Sequence, residues 1–63
     1  MYQLLVYYPE KPGVHATIVA ERAAEVLDLI PKILAEHDGC ERVVVTYDQV
    51  RLFAVDCAGN RLP

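Results

Sequence analysis

The chain predicts an α+β fold: a small, mainly antiparallel sheet with one helix packed on a face, in the order ββαββ. Three observations support it. Residues 2–8, 43–47 and 50–55 are runs of aromatic, branched and other apolar side chains that suit strands. Between residues 21 and 37 the apolar positions recur at spacings of three and four, the period of a helix with one buried side. The junctions carry Pro9, Pro12, Gly13, Gly39 and Asp48-Gln49, residues that turn or stop a chain.

Residues 2–8 (YQLLVYY) place Tyr2, Leu4, Val6 and Tyr8 on one side of an extended chain and Gln3, Leu5 and Tyr7 on the other. Pro9 and Pro12 donate no backbone hydrogen bond, and with Gly13 they mark a reversal. Residues 14–20 (VHATIVA) follow. Thr17, Ile18 and Val19 are β-branched and favour a second strand, with βαββ as the alternative if the segment is helical. From Glu21 to His37, the stripe Ala23, Val26, Leu27, Ile30, Ile33, Leu34 and His37 faces the sheet, and Arg22, Glu25, Asp28, Lys32 and Glu36 face away. Asp28 and Lys32 have the favoured acid-first order four residues apart. Pro31 removes a backbone bond and crowds the carbonyl of Leu27, which predicts a kink or a break. Gly39 stops the helix.

A two-residue turn at Asp48-Gln49 pairs residues whose numbers add to 97. In that register Val43, Val45 and Tyr47 share the helix-facing side with Val50, Leu52 and Ala54. The outer side then carries Cys40, Arg42, Val44 and Thr46 with Arg51, Phe53, Val55 and Cys57. Cys40 and Cys57 become direct partners, open to a cross-strand disulfide that would contribute about 3 kcal/mol by loop entropy. Residues 58–63 form a tail with a Gly59-Asn60 turn signal.

With 63 residues the chain is a single domain near the lower limit of self-sufficient cores, so every element must pack. Its hydrophobic share of 54% and charged share of 24% belong to a folded chain. The net charge of −3 is uneven: Glu21, Glu25, Asp28, Glu36, Asp38 and Glu41 oppose only Arg22 and Lys32 in the middle segment, and the remainder is slightly basic. That balance disfavours direct nucleic-acid binding, which needs cations to displace phosphate counterions. No apolar run approaches the ~18 residues of a membrane span and Met1-Tyr2 lacks a basic signal start, so a cytoplasmic setting is expected, where paired cysteines stay as thiols.

His37 and Cys40 form H-x-x-C, and Cys57 adds a third donor of the kind zinc accepts, with Asp38 or His15 as the remaining choices. The paired spacings of a structural zinc site are missing, so no metal or cofactor is expected. As base and nucleophile, His37 and Cys40 lack a third orienting residue and an oxyanion loop, so no catalytic residue is assigned and the chain reads as a non-enzymatic binding protein. Two surfaces are candidates. The acidic one is Glu21, Glu25, Asp28, Glu36, Asp38 and Glu41, an anionic face able to attract a basic cleft. The other is Val44, Phe53 and Val55 rimmed by Arg42 and Arg51, suited to a homodimer or accessory interaction domain. On its length and the acidic stretch from Glu21 to Glu41, the chain resembles the small phage-encoded anti-CRISPR inhibitors, some of which imitate DNA. The resemblance implies a host-cytoplasm partner with a basic nucleic-acid-binding surface, such as a CRISPR effector complex, engaged by a monomer or homodimer.

Overall fold

Leu4 and Val6 point the same way from an extended chain, and the computed structural model, which describes residues Met1–Pro63, buries both completely. Their strand, β1 (Tyr2–Tyr8), lies between β2 (Lys11–Ala20) and β3 (Arg42–Tyr47). The sheet continues through β4 (Val50–Asp56) to β5 (Arg61–Leu62), in the order β2-β1-β3-β4-β5 with every pair antiparallel. One helix, α1 (Ala23–Glu36), packs on one face. The predicted ββαββ order is thus present, with β5 added from the expected tail. Gly59, at φ +93°, turns the chain, and the Asp56 carboxylate accepts hydrogen bonds from the Ala58 and Asn60 amides at 3.0 and 2.8 Å. The Asn60 amide above all holds that carboxyl below its usual range.

Residues 14–20 are strand rather than helix. The β1–β2 ladder is regular from Tyr2↔Ala20 to Val6↔Ala16, then shifts so that Tyr8 faces Lys11. The extra residues bulge outward around Gly13, at φ +79°, and bring His15 beside Tyr8 with ring centres 4.5 Å apart.

β2 and β3 flank β1 and are both antiparallel to it, so they run parallel to each other and α1 is the crossover between them. Its path sets what the sheet buries: the helix backbone approaches β1 and β2, and no other strand as closely. Val26 and Ile33, seven residues and two turns apart, anchor it to a core of Leu4, Val6, Ala20, Cys40, Val43, Val45 and Val55. Each large apolar side chain buried there contributes about 1.5–3 kcal/mol. Pro31 does not divide the helix, which is continuous from Ala23 to Glu36. The proline is exposed, where water can serve the freed Leu27 carbonyl, and Val26 and Ile33 pin the helix on both sides of it.

The β3–β4 turn is as expected, with Asp48 and Gln49 both at positive φ (49° and 70°), but the expected register survives only for Tyr47↔Val50 and Thr46↔Arg51. A bulge then shifts the ladder by one, giving Val45↔Phe53, Val44↔Ala54 and Val43↔Val55. The predicted faces of β4 are therefore exchanged beyond Arg51. Phe53 and Val55 join the helix side and Ala54 moves to the outer side. Leu52, the extra residue, lines the helix side with Phe53. The physical reason is burial: without the bulge, Phe53 and Val55 would lie on the open face and Ala54 would replace them in the core.

Candidate functional site

The acidic segment is the first candidate. Glu21, Glu25, Asp28, Glu36 and Asp38 are all exposed, and none forms an ion pair. Glu41 differs, because Arg42 engages it, and so it leaves the expected anionic set. The expected Asp28–Lys32 pair is not formed either; both side chains stand in water, where such a pair is worth little. At about 100° per residue, Glu25, Lys32 and Glu36 share one flank of α1, whereas Asp28 sits nearer the crest. Leu27, on the opposite flank, lines a trough together with Leu52 and Phe53 of β4. The Glu25–Glu36 flank therefore overhangs the β2 side of the sheet.

The second expected surface, Arg42, Val44, Arg51, Phe53 and Val55, is divided by the β4 bulge. Val55 is buried in the core, and Phe53 is half-buried on the helix side, with the Arg61 guanidinium 4.6 Å above its ring. Arg42, Val44 and Arg51 remain on the outer face. There Arg42 stacks on Tyr7 at 4.3 Å, and Val44, Thr46 and Ala54 are already sheltered by their neighbours. The Thr46 hydroxyl is buried without a hydrogen-bond partner. The β3–β4 part of the outer face thus has no open apolar centre.

A third cluster forms where α1 ends. The His37 amide and Nδ1 both donate to the Ile33 carbonyl, each at 2.9 Å, which leaves neutral His37 with Nε2 as its acceptor. Gly39, at φ +81°, turns the chain into Cys40. The Cys57 thiol donates to the His37 carbonyl at 3.5 Å. Both cysteines are free thiols; in the shifted register Cys57 falls level with Glu41 rather than Cys40, yet its thiol still influences Cys40. Burial first, then the neighbouring Cys57 thiol, pushes the Cys40 thiol up to about 12, so it keeps its proton at neutral pH and is not an activated nucleophile. Tyr8 and His15 complete the cluster, with the His15 and His37 rings 6.2 Å apart. Burial, followed by the thiols and Asp38, raises the Tyr8 phenol. No group of three or more His, Cys, Asp or Glu side chains converges closely enough to hold a metal ion. Sequence reasoning set His15 beside the thiols only as a remaining zinc donor and did not connect Tyr8 with them. The Pro-x-x-Pro-Gly reversal between them was the available signal.

The fourth place was not anticipated. Because α1 lies over β1 and β2, an apolar trough of about 200 Å³ opens between the helix and β4, lined by Tyr2, Ala23, Val26, Leu27, Val45, Leu52 and Phe53. Leu27 is 68% exposed and Leu52 49%. No known family model matches the chain, and comparison with curated proteins and with solved structures gives no match. No helix is long and apolar enough to cross a membrane.

Proposed function

We propose that the chain is a non-enzymatic binding protein that presents the acidic side of α1 to a cationic protein surface of the kind that otherwise holds phosphates. One observation carries this reading: Glu21, Glu25, Asp28, Glu36 and Asp38 are exposed without ion-pair partners in so small a molecule. Exposed carboxylates free of internal partners keep their full field for an approaching surface. The flank with Glu25 and Glu36 is the centre of the contact. Lys32, lying between them, is a point where a basic partner would be repelled. Occupation of a nucleic-acid-binding groove would make the chain an inhibitor of the anti-CRISPR kind.

Competition tests this. DNA bound to a CRISPR effector complex is titrated with the chain, and displacement that weakens steeply with added salt is expected. E25K/E36K should abolish displacement while leaving the circular dichroism spectrum unchanged, and K32E should strengthen it. Displacement unaffected by E25K/E36K would remove the electrostatic reading.

A further inference from the structure

β2 is an open edge of the sheet, and its two halves differ. Lys11, Pro12 and the bulge around Gly13 blunt the first half, by the devices that ordinarily keep a free edge from pairing. From Val14 to Ala20 there is neither a charge nor a proline, and Ala16 to Ala20 lie in regular ladder with β1. The opposite edge strand, β5, is two residues long and is followed by Pro63.

The register fixes which backbone groups this stretch leaves free. With positive φ at both residues, the Asp48-Gln49 turn is the two-residue kind that closes on a hydrogen-bonded pair, Tyr47↔Val50. Successive residues of a strand turn their backbone groups to opposite sides, so Thr46 and Val44 bond to β1 at Gln3 and Leu5. The Asp48 amide, which donates to the Met1 carbonyl at 3.4 Å, fits the same alternation. Tyr2 and Leu4 then bond to β2 at Ala20 and Ile18. Thr17 and Val19 are left with their N–H and C=O groups directed out of the sheet, and no turn or loop bond engages them. Both residues are exposed. Such a strip is a template for one more strand.

The acidic flank of α1 hangs over this template. The helix starts just beyond Ala20 and returns to the other end of β2, where the His37 ring lies 6.2 Å from that of His15. Glu25 therefore stands at the Ala20 end of the strip and Glu36 at the His15 end, with half-buried Leu29 between them. Along the helix Glu36 is roughly 16 Å from Glu25, and Leu29 roughly 6 Å. On a strand, positions four apart share a face and are roughly 13 Å apart, a difference that long cationic side chains span.

We infer that the partner supplies an extended basic segment that pairs with β2 at Thr17 and Val19, an inference that rests on the acidic flank of α1 being the binding surface. The segment has two cations four positions apart with an apolar residue midway. The cations meet Glu25 and Glu36, and the apolar residue lies towards Leu29. Lys32 disfavours a third cation between them. Charge also selects against a second copy of the chain: antiparallel pairing of two β2 edges would put both helices on one face, acidic flank against acidic flank.

Nuclear magnetic resonance titration of the full chain tests this, with a nine-residue peptide that has two lysines four positions apart, a valine midway and threonines elsewhere. Binding should slow solvent exchange of the Thr17 and Val19 amides and weaken with added salt. N-methylation of the two threonines that flank the valine should abolish it, whereas N-methylation of the valine itself should not. Thr17→Pro removes an outward amide without touching the β1 ladder, so circular dichroism should be unchanged while binding falls at least about tenfold. E25K/E36K should produce a similar loss. A peptide that does not bind, that binds without protecting those two amides, or that is displaced by self-association of the chain would overturn the proposal. DNA displacement that is lost in E25K/E36K but kept in Thr17→Pro would also overturn it and leave the acidic surface standing. Displacement indifferent to E25K/E36K would remove both.

Discussion

The two ends of α1 are held in opposite ways. At the carboxyl end, the Ile33 carbonyl accepts two hydrogen bonds from His37, the Cys57 thiol reaches the His37 carbonyl, and Tyr8 and His15 pack alongside. At the amino end, Arg22 occupies the cap position without a side-chain bond, and Leu27 hangs over an open trough. The crossover from an edge strand to an interior one explains the difference. It must close onto β3 where it ends, whereas beside its start Leu27 and, on β4, Val50 and Leu52 stay exposed. The closed end is where the chain stores stability, and the open end leaves Leu27 and Leu52 in water.

The sharpest way to break this contrast is to truncate one apolar residue at each end. Ile33→Ala should cost about 2–5 kcal/mol by urea denaturation, enough to unfold much of so small a domain. Leu27→Ala, measured in dilute monomer, should stay within about 0.5 kcal/mol, because the side chain is already in water. Equal losses would show that the two ends are not distinct.

Oxidation should sharpen the difference by adding a bond to the closed end. A low-molecular-weight disulfide should link Cys40 to Cys57, with a loss of two hydrogens by mass and a gain of up to about 3 kcal/mol. Exchange should begin at Cys57 and be slow at neutral pH, since Cys40 holds its proton. The same burial makes stability depend on alkaline pH. The unfolded Cys40 ionises near its ordinary 9.0, whereas the folded thiol resists to about 12. The contribution is full below the lower value and falls as the pH climbs through the interval, a slope that Cys40→Ala should flatten.

Gly39→Ala should cost about 1–2 kcal/mol. A Cβ there meets no atom within 4 Å, so the loss is that of the left-handed backbone at φ +81°. The smallest effect belongs to the open end. Arg22→Ser supplies the missing cap and should raise stability by about 0.5–1 kcal/mol, read as a higher unfolding midpoint. A cap that changed nothing would mean the amino end is already satisfied.

Much of this fold is legible in residue order. The 3–4 spacing of Val26, Ile30 and Ile33 places the helix, and the alternation of Leu4 and Val6 places β1. The Asp48-Gln49 turn is legible too. The β4 bulge is not, because Leu52, Phe53, Ala54 and Val55 are all apolar and their pattern fits either register. Choosing between registers required a helix and neighbouring strands to pack against. The trough was hidden for a related reason: Leu27 belongs to the helical stripe, and only the path of α1 over β1 and β2 shows that this residue overshoots the core.

The sequence by itself determined that an amphipathic helix and four strands form, and that negative charge gathers between Glu21 and Glu41. Local spacing and turn chemistry act within a few residues and need no partner. Tertiary structure alone decided which strands lie beneath the helix, that Phe53 and Val55 turn inward, that Arg42 engages Glu41, and that Leu27 and Leu52 stay exposed beside a trough. Those outcomes depend on distances between segments far apart in the chain, which are set only once the crossover closes and the core chooses its register.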